Sequence, residues 1–443
     1  MAGRDSAIPE FQNNFCQNPT KPHFPLDNYP KNHYITASLL FLILKTARHE
    51  NKTELPKRIQ IITEFNFFNA GGVVYNLVSL IGIVNIIGLN NIYSQNGCCP
   101  NGYISIGSAN SNTNLSSLIG NPLLSVNNSK TQAQNICING TLIIDGSTSY
   151  YFADYSNIIM QPNSKILIKD NGQLYCSSTN FSGCTSRWHS ISLENNSNTN
   201  NPTLNLYRCN VQDAEYAVSV RGKAIVSLNN NYFSKNFISL YIPATSGGAK
   251  NEPIFSAFYA NSFDGSNTLL SGSNSYFNNK PKCAIEIHNS KLLNIGLKGK
   301  SPNTFSNLTN GIMLFNTDAN IENCTFSNIA IVSLLSPSKN GIAIYSKNAL
   351  GQSSIVNVTG LGKYNSNTFS NCALGITFEN TSCKLINCKY QNTVHAYSVG
   401  ISVLNTNGAA IELINNNIIG AQFGMVLKNL LNTKTAIIGS NDL

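Results

Sequence analysis

Short segments in which apolar and polar positions alternate recur along most of this chain. Each is four or five residues long and starts with a small residue, and the apolar positions then repeat with a period of two. This pattern is typical of a short strand with one buried face. The clearest segments are residues 311–315, 341–345, 375–378, 400–404 and 424–427. Further short strands follow some of them, as at residues 319–323 and 410–414.

A second pattern, asparagine and aromatic residues in the order Asn-x-aromatic-x-Asn, recurs at regular spacing. Phe305 and Phe326 are 21 residues apart, Phe369 and Tyr390 are again 21 apart, and Phe233 lies in a related unit. A unit repeated at such a period indicates a solenoid, in which each coil contacts only its neighbours. We therefore expect these five rings to be structural repeat anchors that stack in the interior.

The two patterns together predict an all-β fold, a right-handed parallel β-helix with three short parallel sheets and Asn-rich turns. Leucine-rich repeats need regularly spaced Leu and a helical return, whereas the returns here are Asn, Ser, Thr and Gly, which are poor helix formers. Asn tolerates the left-handed backbone of a tight corner, and stacked Asn side chains can form an asparagine ladder. A disordered chain is disfavoured because 42% of the residues are hydrophobic.

The domain organisation predicted from these patterns has three parts. Residues 1–94 are a leader or capping segment whose apolar runs, 35–44 and 73–89, resemble a signal core more than a membrane span. Residues 95–139 are a cap or loop segment, and residues 140–443 form the β-helix, which we expect to be truncated at its C terminus. Longer loops are expected near residues 195–202, 243–253, 264–274 and 347–354.

Charge and cysteine content narrow the function classes. The net charge is +9, but only 11% of the residues are charged and the basic ones rarely cluster, so nucleic-acid binding has little support. Cysteines recur at fixed distances from the inward apolar residue of a repeat. Cys209, Cys324 and Cys388 lie two positions before it (Val211, Phe326 and Tyr390), and Cys184 and Cys372 lie three after it (Phe181 and Phe369). Such equivalent positions favour core packing over disulfides. Metal binding is the least supported.

Oxidation of cysteine is most expected at the adjacent pair Cys98 and Cys99, which lies outside the repeats. The twelve cysteines do not by themselves define a disulfide connectivity.

The segment from residue 141 to residue 194 resembles a known family. A strand at residues 141–145, Met160 and Pro162 in the next turn, a strand at residues 165–168, then Gly183-Cys184 and Trp188 follow one another. This order is similar to the start of the solenoid in secreted bacterial right-handed parallel β-helix proteins of the pectate-lyase-like superfamily. The resemblance covers about residues 141–440. It implies a secreted or cell-surface protein, although the C-terminal sorting domain that many such proteins carry is not seen.

Candidate chemistry is sparse. The best polar cluster contains Arg208 and two like-charged pairs, Asp213 with Glu215 and Arg221 with Lys223, on two neighbouring predicted strands. Each like-charged pair is two residues apart, so its members point the same way on a strand. The cluster could be a cation site with a basic group beside it, or a solvated face with weak ion pairs. We favour the second reading, and the four residues of the two pairs remain weak catalytic candidates.

The expected function is that of a non-catalytic, stalk-like or adhesin-like β-helix that binds glycans, such as polysaccharides or surface glycans, or other surface partners through its flank and loops. One alternative is a polysaccharide lyase or glycoside hydrolase, which requires convergent carboxylates and, for a lyase, Ca²⁺. Another is a purely structural spacer. No cofactor is expected otherwise. Membrane contact is expected only through the leader segment, and the sequence indicates no oligomeric state.

Overall fold

The structure, a computed structural model, describes residues 98–118, 134–146, 149–152, 154–195, 201–245, 250–275, 279–331, 340–360, 366–395 and 398–443. These residues form 35 β-strands and one short 3₁₀ helix, Leu115–Leu118. The first strands are β1 Ile104–Ile106, β2 Asn112–Asn114, β3 Asn135–Ile138, β4 Thr141–Ile144, β5 Ser149–Phe152, β6 Asn157–Met160, β7 Lys165–Lys169, β8 Gln173–Ser177, β9 Asn180–Ser182, β10 Trp188–Glu194, β11 Thr203–Tyr207, β12 Asn210–Gln212, β13 Ala214–Arg221, β14 Ile225–Asn229, β15 Tyr232–Ser234, β16 Ile238–Ile242 and β17 Ile254–Tyr259. The others are β18 Ser262–Asp264, β19 Cys283–His288, β20 Leu293–Ile295, β21 Asn303–Ser306, β22 Asn310–Phe315, β23 Ala319–Glu322, β24 Cys324–Ser327, β25 Ile342–Lys347, β26 Ile355–Thr359, β27 Thr368–Ser370, β28 Leu374–Glu379, β29 Ser382–Ile386, β30 Lys389–Gln391, β31 Val399–Leu404, β32 Ala410–Ile414, β33 Asn417–Ile419, β34 Phe423–Lys428 and β35 Thr435–Gly439.

These strands build three sides of a solenoid. Sheet 1 contains twelve strands in the order β1-β3-β6-β9-β12-β15-β18-β21-β24-β27-β30-β33, and sheet 2 contains twelve in the order β2-β4-β7-β10-β13-β16-β19-β22-β25-β28-β31-β34. The third side is divided into sheet 3, ordered β17-β14-β11-β8-β5, and sheet 4, ordered β20-β23-β26-β29-β32-β35. Because successive coils contribute one parallel strand to each side, the described residues form a right-handed parallel β-helix, and the predicted fold is confirmed.

The core runs along the axis because each strand turns alternate residues inward. In β7 and β11, for example, the second and fourth residues are buried while the others are half-buried. One continuous apolar cluster extends from Ile106 to Ile418. The alternation visible in the sequence is therefore the alternation between the inside and the outside of the solenoid.

A column of aromatic rings lies inside sheet 1. Its members, which we call the inner column, are in direct register from coil to coil: Phe233, Phe263, Phe305, Phe326, Phe369 and Tyr390. Consecutive phenylalanine rings are 4.6–5.0 Å apart at interplanar angles of 3–11°. The five anchors named from the sequence all lie in this column, and Phe263 joins them.

Asparagine has two roles at the corners. Most of the described non-glycine residues with positive φ are asparagines, including Asn307 at 57°, Asn328 at 54° and Asn371 at 52°, which agrees with the tolerance of Asn for the left-handed region. Other asparagines are buried and form a ladder. The Asn231 amide donates to Asn261 Oδ1 at 3.0 Å, and the Asn261 amide donates to Asn303 Oδ1 at 3.1 Å.

Cysteine interrupts this ladder. At the next coil Cys324 takes the ladder position, and its backbone N–H donates to the following ladder residue, Asn367 Oδ1, at 2.9 Å. Burial raises the pKa of the Cys324 thiol to about 12, so the thiol stays protonated. Cys209, Cys372 and Cys388 are likewise free and buried, and the predicted core packing of these four cysteines is confirmed.

Two disulfides link the first described residues to later coils. Cys98 is bonded to Cys184, and Cys99 is bonded to Cys137. Core packing of Cys184, expected from its repeat position, is therefore wrong. The reason is turn length: five residues separate β9 from β10, whereas three separate β27 from β28, where the equivalent Cys372 is buried.

The described coils begin within residues 95–139, which the sequence assigns to a cap or loop segment. Strand β1 pairs with β3 and strand β2 pairs with β4, so these residues belong to sheets 1 and 2. The leader or capping segment predicted for residues 1–94 lies outside the described residues.

Candidate functional site

The two carboxylates singled out from the sequence are both buried. Asp213 sits at the corner between β12 and β13 with a φ of 63°. Burial raises the pKa of Asp213 above its ordinary value, and its Oδ1 atom has no hydrogen-bond partner among the described residues. Glu215 lies two residues further on in β13, and its side chain is only 4% exposed. Neither carboxylate is part of a solvated face.

Glu215 is held in a buried ion pair with Arg187, a residue that the sequence did not indicate. Arg187 Nε donates to Glu215 Oε2 at 2.8 Å, and the two side chains are 3% and 4% exposed. The Arg187 guanidinium lies 5.2 Å from the centre of the Phe237 ring. The pair also fixes the loop after β18, because Arg187 donates to the Asn274 carbonyl and Glu215 Oε1 accepts the Asn274 N–H at 3.0 Å.

This loop, residues 265–275, contains most of the predicted insertion at residues 264–274 and lies against the solenoid. The Arg187 N–H donates to the Ser271 carbonyl at 2.7 Å, and the Asn274 amide donates to the Tyr216 hydroxyl at 3.2 Å. Leu269 packs in a second apolar cluster with residues at the start of the sheet 2 strands, including Phe237 and Ile238. The loop therefore forms a wall along one edge of the outer face of sheet 2.

The two predicted basic residues lie apart from the carboxylates. Arg221 ends β13 in register with Glu194, and Lys223 follows in the next turn, and both are exposed. In the described part of the chain neither one forms an ion pair with Asp213 or Glu215. The structure thus divides the two predicted pairs into a buried acidic half and an exposed basic half.

The outer face of sheet 2 carries a continuous row of aromatic rings. Six successive strands from β10 to β25 contribute one ring each, and we call this set the outer row: His189, Tyr216, Tyr241, His288, Phe315 and Tyr345. The consecutive centroid distances are 5.9, 4.5, 6.2, 4.6 and 5.9 Å. With about 4.8 Å between strands, the row is about 24 Å long.

Exposure along the outer row changes from one end to the other. His189 is exposed, the four central rings are half-buried, and Tyr345 is buried. The interplanar angles range from 12° to 80°, because stacked pairs alternate with edge-on pairs. The outer row therefore presents a shallow strip of ring faces and edges, and solvent contacts its first five rings.

A charged cluster lies in the middle of the outer row. Glu286 of β19 is in register with Tyr241, and its side chain is 6% exposed. The Lys282 ammonium lies 2.5 Å from Glu286 Oε2, and His288 Nε2 donates to Glu286 Oε1 at 2.9 Å. Cys283 also donates to Glu286 Oε2, at 3.7 Å. His288 is therefore paired with Glu286 and also stacks on the Phe315 ring.

The pKa shifts in this cluster follow from burial and pairing. Burial alone would raise the pKa of Glu286, but the hydrogen bond from His288 and the charge of Lys282 outweigh it and hold the pKa below its ordinary value. Burial would lower the pKa of Lys282, yet the Glu286 charge raises it. Burial raises the pKa of Tyr241, and the nearby Glu286 charge adds to that shift. Glu286 is therefore ionised and Lys282 is protonated near neutral pH.

Among the described residues, no group of three or more His, Cys, Asp or Glu side chains is arranged to hold a metal ion. Within the same residues, no helix has the length and apolarity needed to cross a membrane. No family model, curated protein or solved structure matches the chain.

Proposed function

We propose that this chain is a non-catalytic β-helix protein of a secreted or cell-surface type that binds polysaccharides along the outer row. The observation that carries the proposal is the unbroken series of ring contacts across six successive coils. Aromatic rings in an interior column are explained by packing. In the outer row, Tyr345 belongs to the second apolar cluster, and three half-buried rings pack against that cluster, Tyr216, Tyr241 and Phe315. The part of each half-buried ring that stays open to solvent is not used in this packing, and it points to a ligand.

A linear polysaccharide matches the repetition and chemistry of this surface. Each sugar ring has an apolar face that can pack on an aromatic ring, and its hydroxyl groups need polar partners at the rim. The Tyr216 and Tyr241 hydroxyls, the exposed Arg221 guanidinium and the backbone of the wall loop supply such partners. A polymer can contact several coils at once, so individually weak contacts add along the chain.

Binding without cleavage is favoured by the state of the carboxylates. A glycoside hydrolase needs two carboxyl groups flanking one bond, and usually one of them has a raised pKa so that it can act as the acid. Asp213 has a raised pKa, but it is buried at the corner between β12 and β13 and, among the described residues, is not paired with a second carboxylate there. Glu286 has a lowered pKa and is paired with Lys282 and His288. Glu215 is paired with Arg187 beneath the wall loop. These groups are suited to hold the rings and the loop in place.

Two further features support an extracytoplasmic protein with the pectate-lyase-like type of solenoid. Disulfides persist mainly in oxidising compartments, and two of them tie Cys98 and Cys99 to the first coils. The run from Met160 to Trp188 carries much of the resemblance to the pectate-lyase-like proteins. It lies in the coils that contain strands β6 to β10 of the β-helix.

The test is a glycan-array screen of the purified protein, followed by titration of the best polysaccharide with two variants. Tyr241→Ala removes a central ring of the outer row, and Tyr155→Ala removes a ring that is 71% exposed elsewhere. We expect saturable binding by the wild type, at least a tenfold loss for Tyr241→Ala and no change for Tyr155→Ala.

Binding to no glycan, or equal losses for the two variants, would overturn the proposal. The same polysaccharide is incubated with and without Ca²⁺ and assayed for new reducing or unsaturated ends. Release of such ends that depends on Glu286 would replace the binding function with a catalytic one.

A further inference from the structure

The third side of the solenoid is interrupted where sheet 3 ends and sheet 4 begins. Strand β17 pairs with β14 on one edge, but its register shifts between Val226 and Ser227, so Ser256 is an extra residue that bulges from the strand. Strand β20 of the next coil pairs only forward, with β23. Among the described residues no strand ladder joins β17 to β20, although they belong to adjacent coils.

The two coils are nevertheless tied together on both sides of the interruption. Before it, Asn251 and Ser290 form a parallel bridge. After it, the Gly296 N–H donates to the Phe258 carbonyl at 3.0 Å. Between these ties lies a cavity of about 280 Å³. Because both ends are closed by hydrogen bonds, the gap cannot accept an additional strand, and it is suited to a compact ligand.

The cavity has an apolar side and a polar side. Phe255, which is half-buried, and Leu297, which is exposed, form its accessible apolar lining. Phe258 also borders the cavity, but it is buried in the core, with its ring centre 5.2 Å from that of Phe255. The polar lining includes Asn294 and the Glu322 carboxylate, which accepts one hydrogen bond from Thr359 at 3.4 Å. An ionised carboxylate has further lone pairs that can accept hydrogen bonds from a ligand.

A ladder of asparagine side chains on the surface ends beside the cavity, and its last amide can donate a hydrogen bond to a ligand. The Asn357 amide donates to Asn320 Oδ1 at 2.8 Å, and the Asn320 amide donates to Asn294 Oδ1 at 2.9 Å. In the preceding coil, the position equivalent to Asn294 is occupied by Ala257, whose side chain cannot accept a hydrogen bond. In the part of the chain that the structure describes, the Asn294 amide donates to no protein group and lies at the cavity edge.

We propose that this cavity binds a single neutral sugar ring. The volume lies just below the range of about 300–1,000 Å³ that drug-sized ligands occupy, and the half-buried Phe255 ring with Leu297 matches the apolar face of a sugar. Adjacent hydroxyl groups can donate to Glu322 and accept from Asn294. The Glu322 charge excludes an anion, and the exposed Lys298 and Lys300 beside Leu297 disfavour a cation. A purely aliphatic ligand desolvates the Glu322 carboxylate and adds no donor to the hydrogen bond from Thr359.

This site is on a different side of the solenoid from the outer row, so each of the two proposals can be refuted without affecting the other. The ring could belong to a free monosaccharide or to the end of a glycan. The probes are therefore D-glucose, D-galactose, D-mannose, L-fucose and N-acetyl-D-glucosamine, each as the free sugar and as its methyl glycoside. Binding is measured by ligand-observed saturation-transfer NMR and by calorimetric titration of the full chain.

Three variants locate the bound sugar. Leu297→Trp fills the cavity from a side chain that is 42% exposed, and the matched control Leu292→Trp adds the same bulk at a 55% exposed position outside it. Tyr241→Ala removes a ring of the outer row. We expect at least one sugar to bind the wild type, at least a tenfold weaker interaction with Leu297→Trp, and unchanged binding to Leu292→Trp and Tyr241→Ala.

Methylation at O1 distinguishes the two sources of the ring. Loss of binding on methylation identifies a free sugar, and retention identifies a glycan end, and both results support the site. The proposal is overturned if none of the sugars binds the wild type. It is also overturned if Leu297→Trp binds as well as Leu292→Trp does, or if Tyr241→Ala alone abolishes binding.

Discussion

The inner column and the outer row contain the same kind of side chain at the same coil repeat but differ in order. The inner rings keep direct register, stay within 4.6–5.0 Å and are nearly parallel. The outer rings are 4.5–6.2 Å apart, and their planes vary between near-parallel and near-perpendicular. The interior repeats because close packing allows few solutions. The outer rings pack only partly, against the second apolar cluster, so the ring surface left open to solvent requires another explanation, and ligand binding supplies one.

Removing an inner ring should have the largest effect on stability. Phe326→Ala deletes a fully buried side chain between two stacked neighbours, and we expect a loss of about 3–5 kcal/mol in the free energy of unfolding. Chemical denaturation of the wild type and the variant measures this. Polysaccharide affinity per folded molecule should not change, and a large loss of affinity in a fully folded sample would break the distinction between the two sets of rings.

Opening the wall loop should have a similar or slightly smaller effect. Arg187→Ala leaves the buried Glu215 without its partner, which costs about 3–5 kcal/mol for buried pairs in general. Thermal melts test the stability, and proteolysis around residue 274 tests the loop. The control is Lys384→Ala, which breaks the half-exposed pair with Glu412 and should cost less than about 1 kcal/mol. Equal costs would contradict the structural role given to Arg187.

Buried and surface asparagine ladders can be compared in the same way, and we expect smaller losses of stability than for the rings. Asn261→Ala removes the acceptor of both the Asn231 amide and the Asn231 backbone N–H. Leaving buried donors unpaired should cost about 1–3 kcal/mol. Asn320→Ala breaks a ladder at the surface, where water replaces the lost partner, and should cost less than about 0.5 kcal/mol. Urea titrations of the two variants side by side decide the matter, and a reversed ranking would rule out the buried ladder as a stabilising element.

The smallest effect is a pH dependence centred on Glu286. Its pKa is lowered in the folded protein by His288 and Lys282, acting against burial. Its contribution to stability is therefore complete above the unfolded pKa of about 4.3 and is lost as the pH falls through the lower folded value. Melting temperatures between pH 7 and pH 3 should fall less steeply for Glu286→Gln than for the wild type. Parallel curves would show that this pairing is not coupled to folding.

The sequence predicts the parts of the molecule that repeat. Phe305, Phe326 and Phe369 each lie in a copy of the same short repeat unit, so their alignment could be deduced from the spacing of these copies. Phe263 was missed because Asp264 and Gly265 follow it where the pattern has Ser and Asn. The corner asparagines were predictable for the same reason as the anchors, since a tight turn at each coil restricts the choice of residue.

The functional face is less predictable because it depends on contacts between distant residues. Arg187 and Glu215 are joined through a loop near residue 274, and no local pattern indicates this. Glu286 could have been noticed, because a carboxylate at an outward position has Lys282 four residues before it and His288 two residues after it. The outer row does not keep strict register, so counting residues along the repeats does not reveal it.

The most direct test of the account is hydroxyl-radical footprinting of the protein with and without its polysaccharide, read by mass spectrometry. Tyr216, Tyr241, His288 and Phe315 should become protected together as the polysaccharide is added. The exposed Tyr155 should react equally in both states, and the buried inner column should stay unreactive throughout. Protection elsewhere on the surface, with the outer row still fully reactive, would contradict the account.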